Sequence, residues 1–240
     1  IDNTGGNVSS PDSNSLVTLI KGSGKSIDTL RAGVTISSNL GVTGISATGN
    51  VTIAGTNNAG IQNGVALTAN SAITAQNITI DGSSLNANGI YSAAVMNATV
   101  GDVKLIGTST GSPSTASAIS LWNAVTASNN VVISGSNTHT TNSAAAVYLN
   151  NAVTASKGKI DIKAKSADTN ISVGGIDSGS ATTASRILGL SNAELGLIKA
   201  GNTIIGETDR TGSTGNISVV GAVATSTDTG HLTLQTRGNI

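Results

Sequence analysis

The sequence predicts an all-β chain wound as a parallel β-helix, a solenoid with three short strands per coil. Three observations predict it. First, one stretch says nearly the same thing four times: VMNATVGDVKLIG (95–107), LWNAVTASNNVVISG (121–135), LNNAVTASKGKIDIKA (149–164) and LSNAELGLIKAGNTIIG (190–206). The Asn residues of its Asn-Ala pairs, Asn97, Asn123, Asn151 and Asn192, lie 26 (123 − 97), 28 (151 − 123) and 41 (192 − 151) residues apart. A period of about 20 to 30 residues is the signature of a solenoid. The longest gap takes in one extra strand-like segment, NISV at 170–173. Second, short runs alternate apolar residues with Thr, Ser, Lys or Asp, the period-2 mark of a half-buried strand. Third, the 240 residues include no Phe, one Trp and two Tyr, yet 38% are hydrophobic. A globular core uses aromatic filler. A thin layered core of Val, Ile, Leu and Ala does without it.

The elements follow in order. The first strand is expected at 16–20 (LVTLI) and the next at 34–37, bounded by Gly33 and Asn39. From Asn50 the rhythm is regular: NVTI (50–53), NITI (77–80), DVKL (102–105), NVVI (130–133), KIDI (159–162), NISV (170–173), NTII (202–205), NISV (216–219) and HLTL (231–234). Alternation points Ile53, Ile80, Leu105, Ile133, Ile162, Val173, Ile205, Val219 and Leu234 inward. Gly55, Gly82, Gly107, Gly135, Gly206 and Gly221 follow these runs and are expected to supply turns. Second strands are expected at 89–90, 118–119 and 145–149, and third strands through the Asn-Ala segments. At about 4.8 Å per rung, about eight to ten rungs would measure roughly 40 to 50 Å. The best helical candidate, 191–200, aligns with the strand copies. The first 45 residues fit the period poorly, and 206–215 and 111–115, with Pro113, are expected to be loops. No linker marks a boundary, so 1–240 is expected to be one β-helical repeat domain.

Composition excludes several functions. Twelve basic residues balance twelve acidic ones, and charged residues are only 10%. No basic stripe for nucleic acid is visible, nor a basic amphipathic helix for a membrane surface. No apolar run is long enough to span a bilayer. There is no Cys, which excludes a disulfide framework and any Cys metal site and suits a chain exported unfolded. No signal peptide is seen at Ile1. Gly238, Asn239 and Ile240 look like the start of another strand. The chain therefore reads as a fragment of a longer repetitive protein.

Candidate sites are few. If Leu121 points inward, parity sends Trp122 outward and Asn123 inward. The same parity gathers Asn97, Asn123, Asn151 and Asn192 at one inner corner, where stacked amides would form a ladder. A buried amide left unsatisfied costs about 1–3 kcal/mol, and a ladder satisfies it. The plainer reading leaves these Asn outside, favouring turns. Tyr91, Trp122 and Tyr148 fall in neighbouring rungs. An exposed aromatic face of this kind can stack on a sugar or anchor a protein, or it can simply cover a corner of the coil. KGSGKS at 21–26 imitates the end of a phosphate-binding loop, but the pattern's first Gly falls on Leu19, so a Gly-rich turn is expected. His139 and His231 lie in different copies, and Glu207 and Asp209 share a loop with Arg210. Asp81, Asp102 and Asp161 show no common offset. No GGxGxDxUx calcium repeat occurs. No catalytic set, cofactor or metal site is expected. The Thr-x-Thr sites at Thr108, Thr138, Thr225 and Thr227 do not follow the rung period, so no ice-binding array is expected. Six glycosylation sequons begin at Asn7, Asn50, Asn77, Asn97, Asn170 and Asn216.

The units GNVTI (49–53), GNISV (215–219) and GHLTL (230–234) resemble those of filamentous haemagglutinin-like large exoproteins and related bacterial β-helical adhesins. The resemblance covers most of 45–240. It implies a right-handed parallel β-helix, secreted through an outer-membrane partner or as an autotransporter passenger, and displayed on the bacterial surface. The function expected is non-enzymatic: the rigid shaft of a secreted adhesin or surface filament, with a part in adhesion and biofilm. Its expected partners are host-cell or bacterial surface glycans or proteins, neighbouring rungs of the parent chain, and further copies through self-association. Nucleic acid and membrane insertion are not expected. One alternative is a glycan- or protein-binding module using the aromatic face. The other is a polysaccharide-acting β-helical enzyme, which would need a cleft with clustered acids.

Overall fold

A computed structural model describes the backbone of 8–9, 17–24 and 34–36, and residues 45–58, 61–69, 71–110, 116–138, 146–165, 169–174, 187–206 and 214–240. Every strand pairing in it is parallel. The chain is a β-solenoid whose strands stack in three rows. The short row runs Val8–Ser9, Ile45–Ser46, Ile73–Ala75, Met96–Ala98 and Val125–Ala127. The long row runs Val17–Gly24, Val51–Asn57, Ile78–Ser84, Val103–Ser109 and Val131–Asn137. In Val153–Ala164 and Ile198–Gly206 the two rows merge into single strands, and His231–Gln235 ends the long row. The third row is five-stranded: Val34–Ile36, Val65–Leu67, Ile90–Ser92, Ile119–Leu121 and Val147–Leu149. The long row thus holds eight strands, about 34 Å at about 4.8 Å per rung, while five coils are complete on all three sides.

Alternation builds the core. Ile53, Ile80, Leu105, Ile133, Ile162, Ile205 and Leu234 stand in one register column. The first six are fully buried, and Leu234 is half-buried. Burying such a side chain stabilises the fold by about 1.5–3 kcal/mol. A second column, on the short row, is all alanine: Ala75, Ala98, Ala127, Ala155 and Ala200, each buried. Val219 departs from the expected inward set. It is 46% exposed, because among the described residues no strand lies beyond Thr214–Val219 to cover it. Its register partner Val173, one coil below, is fully buried.

The glycines also differ from expectation. Gly55, Gly82, Gly107 and Gly135 lie within the long strands, in register with Gly22. None of them has a positive φ; among the described residues only Gly174, Gly206 and Gly221 do. A Cβ on Gly55, Gly82 or Gly107 would overlap the carbonyl of Gly64, Gly89 or Ala118, at the threshold of the third row of the same coil. The backbone crosses backbone there, and this close approach is what the glycine column permits. Gly206, at the end of its strand, and Gly221, in a bend, do adopt positive φ.

Above Val147–Leu149 the third row breaks. A separate sheet orders Ile187–Leu190, Thr169–Val173 and Thr214–Val219 side by side. The extra NISV segment of the sequence is its central strand. The fourth repeat copy opens with one helical turn, Asn192–Leu195, and returns to strand at Ile198. Ser191 caps that turn, and Glu194 completes a capping box with it. In a regular coil a third-row N–H donates to the next coil, as Ile119 N–H does to the Ala146 carbonyl (3.0 Å). Leu149 N–H donates to Glu194 Oε1 instead, at 2.9 Å. Glu194 Oε2 accepts from Ser191 N–H and the Ser191 hydroxyl, both at 2.9 Å. Burial pushes the Glu194 carboxyl above its ordinary value, and these hydrogen bonds pull against that rise.

Candidate functional site

An amide ladder exists, at a different corner from the one expected. Asn50, Asn77, Asp102 and Asn130, each just before a long-row strand, form a column with Lys159 of the merged strand Val153–Ala164. Asn77 Nδ2 donates to Asn50 Oδ1 (2.6 Å), and Asp102 N–H donates to Asn77 Oδ1 (2.8 Å). Asp102 Oδ1 accepts from Asn130 N–H (2.9 Å) and Asn130 Nδ2 (3.0 Å). Lys159 N–H donates to Asn130 Oδ1 (3.0 Å). A second column joins Asn63, Asn88 and Ser117, and a third joins Asn170, Asn216 and Asn239. The residue before the upper member is often Gly, for a steric reason. A Cβ on Gly101, Gly158, Gly215 or Gly238 would overlap the Oδ1 of Asn77, Asn130, Asn170 or Asn216 in the coil below. The Gly-Asn unit is therefore a corner device spanning two coils.

The four Asn-Ala positions do not form the inner ladder expected of them. Register pairs Asn97 with Thr74 and Thr126, not with Asn123. Asn97 points outward between buried Met96 and Ala98. Asn123 sits in a corner, donating to the Ala93 carbonyl and accepting from Ala124 N–H. Asn151, exposed, accepts from Ala152 N–H. Asn192 lies in the helical turn and bonds Ala222 and Ala224. Parity fails here because the strand ends at Leu121, and three corner residues separate it from Val125.

Two of the three aromatic residues, Trp122 and Tyr148, come together, and Tyr91 shares the face. Tyr91, Ser120 and Tyr148 occupy one outward register column of the third row. Trp122 follows the strand end and folds back, its indole N–H donating to Ser120 Oγ (3.0 Å). Ser120 faces outward yet is only 6% exposed. The Trp122 and Tyr148 rings lie 5.5 Å apart, tilted by 53°, and Tyr148 OH bonds Asn150 Oδ1 at 3.3 Å. Trp122 itself is 45% exposed. Tyr91 and Tyr148 are half-buried.

Other candidates are dispersed. Lys21 and Gly24 belong to a long-row strand paired with Val51–Asn57, which is not a phosphate loop; Lys25 and Ser26 lie outside the described residues. So do Asn7, His139, Glu207, Asp209 and Arg210. His231 is exposed at the start of the last long-row strand, in register with Asn202. Asp81 faces Lys165 across 3.8 Å on the surface; Asp102 serves the ladder, and Asp161 is buried. Among the described residues no group of three or more His, Asp or Glu is placed to hold a metal ion. No helix among them is long and apolar enough to cross a membrane. No protein-family model, no curated protein and no solved structure matches the chain.

Proposed function

We propose that this chain is a non-catalytic shaft, a rigid segment of a secreted bacterial adhesin or surface filament of the filamentous haemagglutinin-like kind. The observation that carries the reading is the long row: eight strands paired in parallel, one on the next, from Val17–Gly24 to His231–Gln235, with register shifts only at Val17/Ile20 and Ala155/Lys159. A load along the axis is shared by every rung's hydrogen bonds and by a dry aliphatic interior. Such a body serves to hold something at a distance. Its low, balanced charge lets rods stand close together. The reading places the chain outside the cell, beside other copies and facing host or bacterial surfaces.

Antibodies raised against the folded chain test it. They should label intact, unpermeabilised cells of the source organism, and the purified chain should release no oligosaccharide from a panel of plant, fungal and bacterial polysaccharides. Labelling only after permeabilisation, or catalytic release of sugar, would overturn it.

A further inference from the structure

All three aromatic residues of this 240-residue chain lie on one outer face, within three consecutive coils. None of them fills the core, which among the described residues is built of Ile, Val, Leu and Ala with Met96. A chain that excludes aromatic side chains everywhere else, and sets its whole complement on one strip of surface, has a use for that strip.

The geometry narrows the use. Tyr91 and Tyr148 stand two rungs apart in one column, about 10 Å along the axis at about 4.8 Å per rung. The position between them is Ser120, too small to continue the strip. Trp122 fills that gap from the corner, pinned by its hydrogen bond to Ser120 Oγ and packed on Tyr148. The result is Tyr91 one rung below a tilted Trp122–Tyr148 pair, all on one face of the rod. The bond to Ser120 occupies the indole N–H, and the 45% exposure of Trp122 leaves much of the side chain open. The column continues to Ala66 and Thr35 without a charge, and amides and hydroxyls rim it at Asn123, Asn150 and Tyr148.

We propose that this strip binds a neutral, linear, β-1,4-linked glycan lying along the coil axis. Pyranose rings with equatorial substituents present flat C–H faces, which stack on aromatic rings as other amphipathic bodies do. One such unit in an extended chain is about 5 Å long, close to one rung spacing. Successive sugars therefore meet Tyr91, Trp122 and Tyr148 in turn. The absence of charge in the column selects against sulfated or uronic polymers, whose desolvated anions would find no counter-ion. This site is additional to the shaft reading, and either can fail without the other.

The single tryptophan reports on its own site. Titration of the folded chain with cellohexaose and with chitohexaose should give a saturable change in Trp122 emission for at least one of them, and little with maltohexaose, whose α-links curl the chain. By calorimetry, Trp122→Ala and Tyr148→Ala should each weaken binding at least tenfold while the variants still melt cooperatively. Val100→Ala, on another exposed corner, should bind as the parent does. Tyr91→Ala should weaken hexaose binding more than trisaccharide binding, because it shortens the strip. No saturable change with either β-linked probe, or undiminished binding by Trp122→Ala, would overturn the proposal. Trp122-dependent attachment to cells that survives periodate oxidation of their glycans would overturn it in favour of a protein partner.

Discussion

The regular coils and the segment above them face the same obligation and meet it differently. From Val34–Ile36 to Ile119–Leu121 every third-row strand has a successor in the next coil, and an amide or carboxylate at the corner bonds the next coil. Above Leu149 the chain inserts an additional strand and a helical turn, and the third row loses its sequence. The short and long rows run on, merged into single strands. The gap is closed by one carboxylate, with Glu194 receiving the N–H of Leu149. The lesson is that two continuous rows hold the third in place. A solenoid tolerates an irregular face if the orphaned backbone groups find a side chain.

The largest effect should come from breaking what both regions share. Ile133→Asp puts an unpaired charge in the buried column and should abolish cooperative melting by circular dichroism; a retained sharp transition would refute the inward stack. Glu194→Ala comes next and acts only on the splice. It leaves Leu149 N–H unpaired, a cost of about 1–3 kcal/mol. Amide exchange at Leu149 should accelerate while that at Ile119 is unchanged; equal acceleration at both would show that the two regions are not separable. Within the regular coils, Asn77→Ala removes two ladder bonds and should cost about 1–2 kcal/mol. Asn97→Ala, outside the ladder, should stay within about 0.5 kcal/mol in the same denaturation series. A reversed order would return the ladder to the Asn-Ala positions.

A pH series sharpens the contrast at the splice. The folded Glu194 carboxyl sits above its ordinary 4.5, so between the two values the folded chain holds more proton than the unfolded one. Stability contributed by this group is full below the ordinary value and declines as pH rises through the folded one. Glu194→Gln does not titrate. Parent stability minus variant stability, measured by urea denaturation, should therefore fall as pH is raised from about 4 upward. A difference that rises with pH would mean the hydrogen bonds outweigh burial.

Much of this was legible in residues. Alternation identified Ile53, Ile80, Leu105, Ile133, Ile162 and Ile205 as interior, because parity is reliable within one strand. It misled at the Asn-Ala pairs because corners have no fixed length, so a count carried from Leu121 to Asn123 lost its phase. The true ladder had a plain signal, an Asn or Asp directly before successive alternating runs at 50, 77, 102 and 130. What concealed it was that its purpose appears only between coils, where Asp102 N–H meets Asn77 Oδ1. The capping box at Ser191 and Glu194 was also readable as S-x-x-E. Its second duty to Leu149 was not, since 45 residues separate the partners. The glycine column suggested turns because Gly usually means a turn, and the backbone crossing it permits is visible only in three dimensions.

The corner ladder bears on inheritance. Each Gly-Asn step reads only the coil beneath it, so the natural unit of gain or loss is one whole coil. A recombination that removed 78–102 would join Asn77 to Val103. Asn77 Oδ1 would then face Asn130 N–H where it had faced that of Asp102, and Gly55 would face Gly107 where it had faced Gly82. Such a deletion variant should still melt cooperatively, and failure to do so would show that individual coils carry private contacts. A lineage could thus adjust the length of the solenoid in steps of about 4.8 Å, by copy number alone, without a single new fold-compatible residue having to arise.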